Sequence, residues 1–257
     1  MLARMVTLGN RVADVGCDHG FLSIHLVLAG ISPGVIAMDV RKGPLDAARE
    51  HIAKWGLEAY IQTRQSDGLC GLFSGEVDTA VCAGMGGPLM ERILTQSSEK
   101  AKQLKELILQ PQSEIPEFRR FLREAGYLVT DEDMVCDGGK YYFAMRAVPE
   151  AKRREDMEED AKLYEDLGGD ADRCGELGEN ARWCVNSGEE AERFDKFGEK
   201  LLRAGNPVLE QYLRRQEAMF KKLAGELDGG ATDRTQKRLA EVQRELTDIR
   251  WAFQFFV

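Results

Sequence analysis

Ten residues, Val12–Phe21, place two carboxylates, a thiol and an imidazole around two glycines: Asp14, Gly16, Cys17, Asp18, His19 and Gly20. A short apolar run (Val12, Ala13, Val15) stops at Gly16, and an amphipathic helical pattern opens at Phe21. That is the pattern of a buried parallel strand, a tight glycine turn and a helix. At the first such turn of an open α/β sheet a nucleotide-like ligand lies. A dinucleotide turn spaces its glycines Gly-x-Gly-x-x-Gly, so that bare backbone meets a pyrophosphate. Here carboxylates occupy the turn; they repel a diphosphate and attract an ammonium or a sulfonium. The charge favours S-adenosylmethionine, which carries both cations and no phosphate. An unrelated strand–turn–helix would show the same glycines.

Further candidates follow at successive strand ends. A second apolar strand, Val35–Met38, closes on Asp39 and Val40. An acid about 20 positions beyond the glycine turn is placed to accept both ribose hydroxyls; a capping or surface aspartate is the alternative. After a third strand, Tyr60–Arg64, Asp67 and Gly68 could take an adenine amino group or form a ligand-free turn. A strongly apolar fourth strand, Val77–Ala83, runs into Gly84-Met85-Gly86-Gly87-Pro88. Three glycines at the end of a central strand imply that something approaches the backbone closely. Ala83 and Gly84 are assigned to the cofactor side, Met85 to the catalytic set and Gly86 and Gly87 to the substrate. Gln110 and Gln112, after a fifth strand Leu104–Leu109, join the substrate side, and Ser113 is expected to cap a helix over 114–125.

These residues need a scaffold, and the chain spells one out. Through residue 148 it alternates strand and helix patterns, then gives two β-rich runs, Leu128–Cys136 and Tyr141–Val148, joined by Asp137-Gly138-Gly139. This predicts an α/β fold, a doubly wound and mostly parallel sheet with a reversed edge strand. A first, ligand-binding domain is expected over 1–149, an acidic connecting segment over 150–206, and a further unit over 207–257. In the last, Leu209, Leu213, Gln216, Phe220, Leu223 and Leu227, then Leu239, Val242, Leu246, Ile249 and Phe253, recur at fours and threes. Two heptad-patterned helices around Asp228-Gly229-Gly230 predict a C-terminal antiparallel coiled-coil hairpin.

Bulk properties bound the function. With 257 residues, 43% hydrophobic and 31% charged, the chain can bury a core and carry an appendage. No apolar run approaches the ~18 residues of a membrane span, and the start lacks a signal-peptide pattern. No membrane partner is expected. The cysteines, at 17, 70, 82, 136, 174 and 184, form no C-x-x-C pair, and with three scattered histidines they form no metal-ligand cluster. Reduced thiols in a cytoplasmic protein without a metal are the expectation. The net charge of −9 is uneven: residues 150–200 hold 17 acids against 9 bases, whereas 201–257 hold 10 bases against 8 acids. The acidity is local and leaves room for a polyanionic partner elsewhere. Arg214, Lys221, Lys237 and Arg244 lie off the apolar seam of the hairpin, seven apart in each helix, free to meet phosphates or simply to stay solvated.

With these motifs placed, the chain resembles the bacterial tRNA (adenine-N1)-methyltransferases that modify adenine 22 in the D-stem. The resemblance rests on Ala13–Gly20, Asp67-Gly68-Leu69, Ala83–Gly87, Leu107–Pro111, Asp137–Tyr142 and the Gly205-Asn206-Pro207 entry to the hairpin. It departs where an N-terminal helix beside the cofactor pocket is expected to be truncated or missing, and where 165–195 is longer and more acidic than usual. The resemblance implies a class I S-adenosylmethionine fold, tRNA as substrate and a monomeric enzyme. Adenine N1 is already a nucleophile, so the task it implies is positioning, with stabilisation of the cation formed on the base. Asp18 is then the charge stabiliser and His19 the candidate for proton handling, or a histidine that only orients the loop. A methyltransferase with another substrate and a non-catalytic binding module are the competing readings.

Overall fold

The computed structural model describes residues 1–153, 188–228 and 232–256. At its centre lie the strands whose sequences are mostly apolar: β1 (Val12–Val15), β2 (Val35–Asp39), β4 (Thr79–Met85) and β5 (Glu106–Pro111). Strands covered on both faces need no polar alternation, and β1, β2 and β5 are buried at every residue. With β3 (Ile61–Gln65), β6 (Tyr127–Asp137) and β7 (Lys140–Pro149) they form one seven-stranded sheet of order β3-β2-β1-β4-β5-β7-β6. β1 pairs in parallel with β2 and with β4, so Val12 stands opposite both Val35 and Thr79. β7 runs antiparallel to β5, with Leu109 opposite Met145. The reversed strand is therefore second from the edge, inserted between β5 and β6, rather than the edge strand expected. Gly138 and Gly139, both at positive φ (54° and 77°), turn the chain between β6 and β7.

Among the described residues, these helices belong with the sheet: α1 (Leu2–Met5), α2 (Phe21–Leu28), α3 (Lys42–Lys54), α4 (Gly87–Gln96), α5 (Ser98–Gln103) and α6 (Ile115–Glu124). One buried cluster joins Met5, Ile24, Leu26, Leu45, Ala48 and Ile52 to Val12, Val35, Val81 and Ile108. The other joins Met90, Ile93, Leu94, Ala101, Phe118 and Leu122 to Ala13, Ile36, Leu107 and Leu109. Helix α5 was not read from the sequence. The expected cap at Ser113 is corrected: α6 starts after Glu114, which sits at φ 51° and makes no side-chain cap bond.

Two buried acids are handled by different means. Glu106 (3% exposed) accepts from Thr7 N and Oγ1 and from Thr79 Oγ1, each at 2.8 Å, and from Asn10 Nδ2 at 3.3 Å. This ties the segment before β1 to the middle of the sheet. Glu132 on β6 instead meets Arg119 Nε of α6 at 2.8 Å, and Arg119 also lies over the Phe143 ring.

The chain divides into two compact units: Met1–Glu132 with Phe143–Asn186, and Asp133–Tyr142 with Ser187–Val257. Of the acidic stretch expected over 150–206, residues 154–187 lie outside the described residues. In the second unit α7 (Glu189–Phe197) and α8 (Glu199–Arg203) precede α9 (Pro207–Leu227) and α10 (Asp233–Ala252). Asn206 caps α9 by accepting from Val208 N and Leu209 N at 2.9 and 3.1 Å, with Pro207 in the first turn. Leu209 and Leu213 of α9 and Val242, Leu246 and Ile249 of α10 are buried. Arg214 lies over the ring of Phe253, so the start of α9 meets the end of α10 and the helices are antiparallel. Gly229 and Gly230 of the expected turn lie outside the described residues.

The Arg119–Glu132 pair yields a stability test. Replacing Arg119 by Met removes a buried charged partner of Glu132 and should lower the unfolding free energy by ~3–5 kcal/mol. The double change R119M/E132L should recover most of that loss in urea denaturation, because the desolvation cost leaves with the charges.

Candidate active site

The turn after β1 is lashed to β2 by one carbonyl. Met38 O accepts from Gly16 N at 2.8 Å and from Cys17 N at 2.9 Å. Gly16, Asp18 and Gly20 all lie at positive φ (74°, 49° and 72°), a region that glycine enters freely and aspartate tolerates better than most residues. A Cβ at Gly20 would crowd Ala48 of α3, and one at Gly16 would run into the methyl of Met85. The turn is therefore built into a narrow space between α3 and the end of β4.

Three acids converge on this turn. Asp14 is buried and accepts from Ser23 Oγ of α2 at 2.6 Å; burial pushes its carboxyl up to about 6, partly opposed by the bonds from Ser23. Asp39 is also buried, and its Oδ1 accepts from Arg41 N at 2.8 Å. Among the described residues no hydrogen bond falls on its Oδ2. Asp18 is exposed, with Oδ2 at 3.7 Å from His19 Nε2. Cys17 registers all three: burial first, then the charges of Asp14, Asp39 and Asp18, push its thiol up to about 12. No lysine or arginine stands between Asp14 and Gly20, so the turn is anionic and its thiol is unreactive.

The opposite wall is the end of β4. Its register with β5 shifts between Ala83 and Met85. The amide freed there, Gly84 N, donates instead to Gln110 Oε1 at 2.8 Å. Because a backbone N–H can only donate, this bond fixes which end of the Gln110 amide is oxygen. Gln110 Nε2 is buried without a hydrogen-bond partner among the described residues. Gln112 N donates to Met85 O at 2.8 Å, and Gln112 Nε2 lies 3.7 Å from where a Cβ on Gly84 would stand. The approach expected at the glycines is partly internal: Gly86 faces Ser113 Oγ, and Gly87 faces the carbonyls of Ser113 and Glu114.

The structure thus brings Asp14, Gly16, Cys17, Asp18, His19, Gly20 and Asp39 together, and Met85 bridges them to Ala83, Gly84, Gln110 and Gln112. Val40 is exposed beyond Asp39, its carbonyl accepting from Gln65 Nε2. Asp67 is turned to other use, with both oxygens 3.1 Å from the Arg92 guanidinium, while Gly68 packs under Ile93. In the second unit, Arg214 pairs with Glu210, Lys221 with Glu217 and Lys237 with Asp233, each acid one turn earlier. Arg244 has no ion pair among the described residues. Sequence reading missed Ser23, nine positions from the acid it holds, and the rings of Phe21 and His51 beside His19. Among the described residues no cluster of His, Cys, Asp and Glu is built to hold a metal, and no helix is long and apolar enough to cross a membrane.

Known proteins share the fold of this chain and part of its sequence. A tRNA (adenine(22)-N(1))-methyltransferase of Bacillus subtilis is 36% identical over 141 residues, 55% of this chain and 59% of that protein. The match thus spans about three-fifths of the relative's length. The crystal structure of the B. subtilis m1A22 tRNA methyltransferase TrmK superposes with a TM-score of 0.72 at 24% identity, covering 98% of this chain and 95% of that one. M. capricolum TrmK bound to S-adenosyl-homocysteine superposes at 0.71 with 19% identity, covering 100% and 96%. At such identities the superpositions speak for the fold. Residues 1–145 match the methyltransferase domain family, and this chain belongs to it.

Proposed function

We propose that this chain is an S-adenosylmethionine-dependent methyltransferase that modifies N1 of adenine 22 in tRNA, acting as a cytoplasmic monomer. The observation that carries the reading is the convergence of Asp14, Asp18 and Asp39 on Cys17 at a turn whose own residues include no lysine or arginine, with Arg41 Nε 3.7 Å from Asp39 Oδ1 beyond it. Such a turn suits a ligand bearing an ammonium and a sulfonium and rejects a diphosphate. The B. subtilis relative carries this activity in its name, and the M. capricolum structure holds the demethylated cofactor.

In this reading Gly16, Cys17 and Gly20 leave room for the cofactor, Asp14 faces its cationic end, and the open Oδ2 of Asp39 takes the ribose hydroxyls. Ala83 and Gly84 border the same space; Asp67, held by Arg92, contributes through the turn it shares with Gly68 and less by its own oxygens. The bound cofactor supplies an electrophilic methyl on sulfur. Asp18 lies exposed at the mouth and stabilises the positive charge that adenine gains on reaction. His19, 3.7 Å from it, is placed to take a proton from the exocyclic amine. Met85 limits the space above Gly16 and so the approach of the base. Gln110 holds the bulge with one end of its amide and offers the other, unpartnered Nε2 to an acceptor on the base. Gly86 and Gly87 bring the Ser113 turn close enough to complete that wall, with Gln112 over Gly84. Arg214, Lys221, Lys237 and Arg244 serve phosphates, but the first three must first exchange a carboxylate.

Mass spectrometry of tRNA after incubation with protein and cofactor tests the whole reading: one methyl should map to adenine 22. Titration of Asp14 gives a second check. Its folded-state value of about 6 means that the carboxyl is neutral below that pH and charged above it. Affinity for S-adenosylmethionine by calorimetry should therefore fall as the pH drops from about 7 to 5, and Asp14→Asn should flatten the profile. Asp18→Asn, which keeps a side chain tolerant of positive φ, should lower turnover by ~10²-fold with a much smaller change in cofactor affinity. For the hairpin, Arg244→Glu should reduce the logarithmic salt slope of tRNA binding by about 0.7–0.9. Lys237→Glu should reduce it less.

A further inference from the structure

All three histidines of the chain, His19, His25 and His51, fall on the glycine turn, α2 and α3. Two of them close a ring cluster with Phe21. Phe21 and His51 stack at 4.8 Å between centroids, and His19 lies 5.8 Å from each. His51 Nδ1 lies 3.0 Å from His19 O, which fixes the imidazole against the turn. The cluster is open to solvent: Phe21 is 62% exposed. It continues along both helices. Phe21, His25 and Leu28 form an exposed stripe on α2, and on α3 His51 shares its side with Lys54 and the exposed Trp55. Lys54 is exposed, and among the described residues it has no acid within ion-pair distance. The hairpin cations are mostly neutralised by acids of their own helix, whereas this one is not.

We propose that the Phe21–His51–His19 cluster is a stacking platform for an unpaired base of the RNA substrate, next to the adenine to be methylated. The proposal rests on the tRNA methyltransferase reading above. Continuity is the first argument, because His19 belongs both to the cluster and to the turn that carries Asp18. N1 lies on the pairing edge, so the target base must leave its stack and its neighbour loses a stacking partner. An exposed aromatic face restores that contact with any base, and Lys54, one turn from His51 and without a carboxylate partner among the described residues, meets a flanking phosphate. A protein partner would have to leave that ammonium group unmatched.

The test uses the full chain and a tRNA transcript carrying 2-aminopurine beside adenine 22, whose fluorescence falls on stacking. Wild-type protein should quench the probe. Phe21→Ala should abolish most of the quench and weaken tRNA binding about five-fold or more, whereas Phe21→Trp should retain both. Cofactor affinity should be the same in all three, since Phe21 is exposed and lies outside the acidic turn. Lys54→Glu should lower the salt slope and keep the quench. If wild type binds and methylates the tRNA while Phe21→Ala keeps full affinity and full quench, the platform is overturned and the activity stands. If wild type neither binds nor methylates tRNA, the methyltransferase reading fails and the platform with it.

Discussion

Everything near the candidate site depends on one acceptor. The Met38 carbonyl takes the N–H groups of Gly16 and Cys17 together, which forces the chain to turn sharply at the end of β1 and sets the strand ends of β1 and β2 side by side. Each strand ends in a carboxylate, so this junction presses like charges into a small volume. The folded protein tolerates that through local donors: Ser23 on Asp14 and the Arg41 amide on Asp39. It does so incompletely, as the raised carboxyl of Asp14 and the raised thiol of Cys17 record. A site of this kind is electrostatically unfinished, and a cationic ligand completes it.

The second wall shows the same economy of backbone groups. A bulge in β4 frees Gly84 N, and a side chain from the neighbouring strand collects it. One side of the Gln110 amide is thereby committed to structure and the other is left over. Bulges of this kind sit beside functional sites because they detach a few atoms from the ladder and aim them elsewhere.

Much of this was legible in the sequence, for physical reasons that differ by element. β1, β2, β4 and β5 were readable because burial on both faces removes polar alternation, and the α9 entry because Asn206 and Pro207 are the residues a helix start needs. The acids at strand ends were readable because the glycine turn dates their position. The Ser113 cap was misread: Ser113 faces Gly86, and that close approach, which the sequence does not display, moves the helix start to Glu114. The Phe21–His51 stack was invisible because each residue reads as an ordinary helical position and 30 residues separate them. The ion pairs of the hairpin were in plain view as acids four residues before bases, a spacing that a reading of net charge alone passes over.

The division of the chain carries a consequence for modularity. The backbone leaves the sheet-bearing unit within β6, turns at Gly138-Gly139 and returns in β7, so Asp133–Tyr142 belongs to the helical unit. There Tyr141 meets Tyr212 edge-on at 5.1 Å, and Arg215 donates to Gly139 O at 2.9 Å. The appendage is thus woven from two separate segments of the gene. Recombination at a single breakpoint, by nature or by cloning, cannot transfer it by itself: a breakpoint before Asp133 carries most of β7 along, and a graft of the last helices alone would arrive without the loop they grip and would leave behind a hairpin tip with nothing to hold. Exchange of this appendage by itself between relatives demands two coordinated crossovers, which predicts that it descends with its sheet-bearing unit as one inherited block.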